Sequence, residues 1–218
     1  MPVYLLNESP LMPDPIHADA EGLVAIGGDL AHKRLINAYK SGIFPWYEEG
    51  SEILWWSPDP RLVLFPEELK VSKSMRSLFR KNYFNVTVNQ QFVEVIANCK
   101  NIDRTDQGGT WITDEMEKAY ISLHKLGYAH SVEVWHENKL VGGLYGIKLG
   151  NIYFGESMYS KVSNASKIGF IHLVKDLSEK GVKMIDCQIK TDHLISLGAR
   201  EISRQHFLKI LKRKFNST

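Results

Sequence analysis

The chain has 218 residues, of which 44% are apolar, 24% charged and 11% aromatic, a composition that supports a substantial core and excludes dominant disorder. No run approaches the ~18 consecutive apolar residues of a membrane span, and the start, Met1-Pro2-Val3-Tyr4, lacks the basic and apolar regions of a secretory signal. Two cysteines, Cys99 and Cys187, make neither a disulfide framework nor a zinc quartet, so a soluble cytoplasmic protein without metal or cofactor is expected.

The net charge of +2 is unevenly spread. Residues 1–60 hold nine acidic residues against Lys33, Arg34 and Lys40, a balance of −6 that leaves +8 on the remainder. An acidic first segment on a basic body predicts a small N-terminal domain, 1–60, and a larger unit, 61–218, suited to meeting a polyanion. Chance composition explains the same asymmetry equally well.

Turn formers crowd residues 1–60 and leave room for one helix, from Asp29 as N-cap through Leu35 and Tyr39 to Gly42 as its stop. An aromatic-dense loop follows, with Phe44, Trp46, Tyr47, Trp55 and Trp56, whose rings read equally well as core or as a binding surface. Past Pro60 the pattern predicts a strand over 62–65, a helix over 72–80 and a strand over 85–88. Helices over 91–99 and 113–126 come next, then three strands over 129–135, 140–147 and 152–158, joined by polar hairpin-length links. Asn164 is expected to cap a helix whose apolar positions keep helical spacing up to Gly181. A strand over 184–189, a short helix over 194–197 and a closing helix over 203–215 complete the chain. Antiparallel strands, then a helix, then another strand is the order of a mixed α/β, acetyltransferase-like (GNAT) fold.

That fold suggests acyl transfer from coenzyme A, which needs a glycine-rich turn at the N-terminus of the central helix to cradle pyrophosphate. The corresponding stretch, Ser163-Asn164-Ala165-Ser166-Lys167-Ile168, has no glycine. No His or Cys pair has metal-ligand spacing, and no Gly-x-Ser-x-Gly elbow or phosphate-binding P-loop is present. Strand alternation puts Cys187 beside Ile185 and Ile189, as a buried structural residue rather than a nucleophile. The sharper signal is Asp186 with Gln188. On a strand they share one face, ~6.6–6.8 Å apart along the chain, and a carboxylate there needs a partner because burying it alone is costly. A hydrogen-bonded pair at an exposed strand end and a polar constellation in a cleft both fit; Glu156 is placed to face the same cleft.

Long strings rich in Trp, Gly and Pro make the sequence similar to the leucyl/phenylalanyl-tRNA–protein transferase family. They include Gly27-Gly28-Asp29-Leu30, Gly42-Ile43-Phe44-Pro45-Trp46, Leu54-Trp55-Trp56-Ser57-Pro58-Asp59-Pro60-Arg61 and Gly109-Thr110-Trp111-Ile112-Thr113. His130-Ser131-Val132-Glu133-Val134-Trp135, Val141-Gly142-Gly143-Leu144-Tyr145-Gly146, Phe154-Gly155-Glu156-Ser157-Met158, Asn164-Ala165-Ser166-Lys167 and Ile185-Asp186-Cys187-Gln188 follow. The resemblance implies transfer of leucine or phenylalanine from the 3′-terminal adenosine of tRNA to a protein with N-terminal Arg or Lys, which then enters N-degron degradation. It implies a GNAT-like body behind a small N-terminal domain, with Asp186 and Gln188 as the catalytic pair and Glu156 in the active-site motif. Trp46 and Trp111 match aromatics near the terminal adenosine, Leu144 and Met158 match the amino-acid pocket, and Tyr39, Tyr120 and Phe170 are grouped with them. Some relatives continue past the last helix, so contacts made by such a tail are not carried over to a chain that stops at Thr218.

An ester is already activated, so attack by a neutral amine mainly needs positioning. Gln188 is expected to orient the amine through its carbonyl oxygen, with Asp186 hydrogen-bonded to the Gln188 amide, and the acidic Asp186 and Glu156 suit a cationic N-terminal residue. Lys73, Arg76 and Arg80, at i, i+3 and i+7, fall within about 60° of helical arc, flanked by Lys70 and Lys81, with Val71, Met75, Leu78 and Phe79 opposite. A solvated face is the ordinary meaning of such a stripe; the basic body and the family resemblance favour a tRNA phosphate-binding helix over Lys73, Arg76, Arg80 and Lys81. Lys209, Lys212, Arg213 and Lys214 form a weaker second patch. A coenzyme A-dependent N-acetyltransferase and a non-catalytic tRNA-binding protein are the alternatives.

Overall fold

The computed structural model describes residues 3–102 and 111–215, so the Gly109-Thr110 pair of one family string lies outside the described residues. The first 60 residues hold more regular structure than their turn formers predict. Strands β1 (Tyr4–Leu6), β2 (Leu23–Gly27), β3 (Phe44–Pro45) and β4 (Leu54–Trp56) form a four-stranded sheet in the order β1-β2-β4-β3. These strands span two to five residues each, too few for alternation to show between prolines and glycines. Helix α1 (His32–Lys40) starts later than predicted. Asp29 does not cap it: its carboxylate accepts from the Ala31 N–H at 2.8 Å and from Arg34 at 3.0 Å, while Ala31 occupies the cap position. Gly42 ends the helix as predicted, with φ of 78°. A Cβ there would lie 2.9 Å from Leu208 and Phe207, so glycine also lets the closing helix approach.

The body is one seven-stranded sheet in the order β11-β5-β10-β9-β8-β7-β6. Its strands are β5 (Arg61–Leu64), β6 (Asn85–Val88), β7 (Ala129–His136), β8 (Lys139–Leu149), β9 (Ile152–Ser160), β10 (Met184–Gln188) and β11 (Arg200–Ile202), the last of which the sequence pattern did not disclose. All neighbours are antiparallel except β9 and β10, which are parallel and joined through helix α5 (Ala165–Glu179). Asn164 precedes α5 in a left-handed conformation, φ 71°, and its side chain makes no cap, contrary to expectation. The Ser166 N–H donates instead to Ser160 Oγ at 3.2 Å.

Alternation along the strands divides two apolar layers. Val63, Phe154 and Met184 face a layer with α1, α3 (Phe92–Asn101), α4 (Asp114–Lys125) and α7 (Arg204–Phe215), whose core also takes Leu35, Tyr39 and Trp55 from the first segment. Leu62, Leu64, Tyr153 and Ile185 face α2 (Lys73–Arg80) and α5. Caps explain two of these helices: Ser72 accepts from the Met75 N–H and Thr113 from the Met116 N–H. Helix α6 (Asp192–Ser196) links β10 to β11. No helix among the described residues is long and apolar enough to cross a membrane.

Candidate active site

The β9–β10 ladder pairs Ile152–Phe154 with Met184–Asp186 and then opens. A cavity of about 550 Å³ occupies the opening, lined by 155–160 from β9, 187–191 from the end of β10, and side chains of α5. Both strands carry a bulge there. On β9, Gly155 faces Gly146 and Ser157 faces Tyr145, which leaves Glu156 as the extra residue. On β10, Asp186 faces Val63 and Gln188 faces Leu62, which leaves Cys187 as the extra one. A bulge bends its strand and re-aims side chains. Gly146 makes room for the first: a Cβ there would sit 2.2 Å from the Phe154 carbonyl oxygen. Gln188 completes the second with φ of 62°.

These bulges bring Glu156, Asp186 and Gln188 together, with corrections to the expected contacts. Asp186 is fully buried and does not line the cavity. Its two oxygens accept from Arg61 Nε at 2.8 Å and Nη2 at 2.7 Å, a bidentate ion pair, and Oδ1 also accepts the Gln188 backbone N–H at 3.0 Å. Arg61 is itself 1% exposed and lies between the Phe44 and Phe207 rings, 4.8 and 4.7 Å from their centroids. Asp186 thus fixes the backbone of Gln188, not its side-chain amide, and Arg61 already balances the charge that was expected to attract a cationic substrate. The side-chain amide of Gln188 donates to Glu156 Oε1 at 3.1 Å.

Among the described residues, Glu156 has no cation against it. The Tyr39 hydroxyl donates to Oε1 at 2.8 Å and the Tyr120 hydroxyl to Oε2 at 2.9 Å. Desolvation pushes the Glu156 carboxyl up to about 7; the tyrosine and Gln188 hydrogen bonds oppose the rise, and nearby Asp186 adds to it. Burial beside this carboxylate holds both phenols well above their ordinary range. Tyr39 and Tyr120, grouped with the pocket from sequence, do not line the cavity; they stand behind Glu156.

Trp46, Trp111, Leu144, Met158 and Phe170 all line the cavity. Trp46 is 43% exposed and tilts against Trp56, whereas Leu144 and Phe170 are buried. Cys187 packs with Ile185 against the α2 and α5 layer, the face that alternation predicts, and is half-buried where that layer meets the cavity wall. Burial pushes its thiol up, which keeps it protonated and a poor nucleophile. Lys73, Arg76, Arg80 and Lys81 are exposed on and just after α2, none of them in the cavity lining, while Met75 is buried on the opposite side. Lys209 and Lys212 are exposed on α7, against the other face of the sheet from α2; the Lys214 side chain lies outside the described residues. Sequence reasoning missed Arg61 and His193, the second of which lines the cavity with its imidazole pKa lowered by burial and by Lys167. Arg61 had a signal: it opens an apolar strand, Leu62-Val63-Leu64, and a charge so placed needs a buried partner.

Comparison with known proteins accounts for nearly the whole chain. The family model described as leucyl/phenylalanyl-tRNA protein transferase matches residues 63–212, and the model of that family's N-terminal domain matches residues 28–59. The chain is 57% identical to the leucyl/phenylalanyl-tRNA–protein transferase of Flavobacterium johnsoniae, covering 97% of this chain and 100% of that one. The Syntrophobacter fumaroxidans enzyme of the same name is 54% identical, with 97% and 90% covered. Among solved structures, FemX superposes with a TM-score of 0.52 at 11% identity, covering 82% of this chain and 70% of that one, a likeness of fold alone. A GCN5-related N-acetyltransferase from Kribbella flavida matches at 0.43, with 9% identity over 77% of this chain and 60% of that one. By family match and by identity along its length, this chain belongs to the leucyl/phenylalanyl-tRNA–protein transferase family and is an aminoacyltransferase.

Proposed function

We propose that the cleft between β9 and β10 moves leucine or phenylalanine, and methionine less readily, from the 3′-terminal adenosine of tRNA to the α-amine of proteins that begin with Arg or Lys. The products begin with a destabilising residue and feed cytoplasmic N-degron degradation. The observation that carries this reading is the placement of Gln188. Its amide nitrogen is engaged by Glu156 and its backbone by Asp186, which leaves its carbonyl oxygen to accept from an incoming amine at the cavity wall. Aminoacyl esters need orientation more than activation, and holding the amine in line with the ester carbon supplies it. Leu144, Met158 and Phe170 offer an apolar wall for the amino-acid side chain, and Trp46 and Trp111 offer rings for adenine to stack on. Lys73, Arg76, Arg80 and Lys81 meet tRNA phosphates, which contribute affinity and carry little base information.

The coenzyme A reading is weaker at the same place. A pyrophosphate needs free backbone amides at the start of α5, and the Ser166 N–H there is taken by Ser160 Oγ at 3.2 Å. Labelled leucyl-tRNA incubated with a protein bearing N-terminal Arg tests the proposal. Label is expected on the protein, and Gln188→Ala is expected to slow its transfer by about 10²-fold, the usual cost of a misplaced reactant. A stable complex without transfer would favour a tRNA-binding protein, and reaction with acetyl-CoA alone would favour an acetyltransferase.

A further inference from the structure

Tyr39 on α1, Tyr120 on α4 and Glu156 on β9 close a ring behind the cavity. The Tyr39 hydroxyl lies 2.8 Å from Glu156 Oε1, the Tyr120 hydroxyl 2.9 Å from Oε2, and the two hydroxyls 2.5 Å from each other. Three oxygen–oxygen contacts need three protons, and two phenols carry only two. With Glu156 ionised, both phenols point at it and their mutual contact sets lone pair against lone pair. With Glu156 protonated, donation runs one way round the ring. Glu156 Oε2–H donates to Tyr120, Tyr120 donates to Tyr39, and Tyr39 donates to Oε1, which also accepts from Gln188 at 3.1 Å.

The ring is screened from solvent, since both tyrosines are 0% exposed. Among the described residues, the other groups facing it are Tyr145 from β8, Tyr153 from β9 and Asp186 from β10, whose charge Arg61 on β5 already meets at 2.7 Å. Glu156 itself reaches the cavity.

We propose that Glu156 carries the proton that must move during aminoacyl transfer, and that Tyr39 and Tyr120 are positioning residues that orient its carboxyl and set how tightly it holds that proton. The inference rests on the transfer reading above. The neutral amine attacks the ester carbon and the C–N bond forms. Glu156 gives its proton to the ribose oxygen as the C–O bond breaks, and its carboxylate takes the surplus N–H proton from the new amide nitrogen. One proton has then passed from nitrogen to oxygen, and the ring is restored. A Glu156 carboxyl at about 7 is close to the ~7.7–8.0 of an α-amine, so neither proton transfer is steeply uphill.

Difference infrared spectra of the whole enzyme against Glu156→Gln isolate this carboxyl, because the variant removes it and keeps every other carboxyl side chain. A protonated-carboxyl band is expected at pH 6, lost near pH 7; no band at pH 6 overturns the proposal. Tyr39→Phe and Tyr120→Phe keep the ring packing on Phe154 and Tyr145 but remove a donor to the ionised form. Each is expected to raise the band's midpoint by about one pH unit and to move the pH optimum of leucine transfer upward with it. A shifted band with an unmoved optimum also overturns the proposal, since Glu156 would then titrate without taking part. Wild-type enzyme that transfers no leucine at all would instead refute the transfer reading, and the band would still report on the ring.

Discussion

Strands β9 and β10 run parallel and each brings one carboxylate to the same bulged end, yet the two acids live in opposite surroundings. Asp186 sits on two guanidinium donors of Arg61 and one backbone N–H, fully buried and complete in its partners. Glu156 has two phenols and one amide, no cation among the described residues, and an opening to the cavity. The same functional group is therefore ion-paired in one strand and held by neutral partners in the other, where burial raises its pKa. Environment, rather than residue type, divides the labour. Asp186 accepts the backbone N–H of Gln188, whose φ is 62°, and in the proposed transfer Glu156 faces the reacting groups.

The comparison breaks most sharply if Asp186 is removed. Asp186→Ala leaves Arg61 buried without a counter-charge, and a loss of about 3–5 kcal/mol of stability is expected by chemical denaturation. Turnover at saturating substrates should fall by roughly 10²–10⁴ with aminoacyl-tRNA affinity little changed. The double variant Arg61→Met with Asp186→Leu separates the two effects. Apolar replacement of a buried pair is often neutral for stability, so melting should recover while turnover stays low, because Gln188 has still lost its backbone anchor. Restored turnover would mean that the anchor is irrelevant.

Changes at the cavity wall touch neither acid and sharpen the contrast by leaving pH dependence alone. Met158→Ala is expected to narrow discrimination between leucyl- and alanyl-tRNA by about 1–3 kcal/mol in kcat/KM. A loss of melting temperature with unchanged selectivity would make Met158 ordinary core. The smallest effect on chemistry is expected from Arg76→Ala with Arg80→Ala. These side chains are exposed on α2, so KM for aminoacyl-tRNA should rise and its log–log salt slope flatten by up to about two units. Saturated turnover should barely change. An unaltered KM and slope would place the tRNA elsewhere, with exposed Lys209 and Lys212 of α7 on the opposite face of the sheet as the next place to look.

Local patterns disclosed what local chemistry decides. The helices expected over 72–80 and 113–126, the helical spacing of α5 and the three strands between polar hairpin-length links all matched α2, α4, α5 and β7 to β9 within one or two residues of their observed starts. The strand pair Asp186 and Gln188 pointed to the right end of β10. What stayed hidden is set by distance along the chain. Arg61 and Asp186 are 125 residues apart, and Tyr39 meets Glu156 across 117. No periodicity encodes such a meeting. The bulges were hidden for a different reason: no sequence pattern marks Glu156 or Cys187 as an added residue in the register. Asn164 misled because a residue that commonly caps helices also tolerates the left-handed conformation, and here it adopts the second role.

The division between the two acids is most directly tested by the stability of Glu156→Gln relative to wild type as a function of pH. Glu156 rises from an ordinary 4.5 to about 7 on folding, so the folded chain holds the proton more tightly and wild type loses stability as pH climbs through that window. Glutamine has no proton to lose. The difference in unfolding free energy between Glu156→Gln and wild type should therefore move in the variant's favour by about 3 kcal/mol between pH 4.5 and pH 8. A difference that stays constant across that range would show that folding does not tighten the hold of Glu156 on its proton, and the contrast between the two strands would not hold.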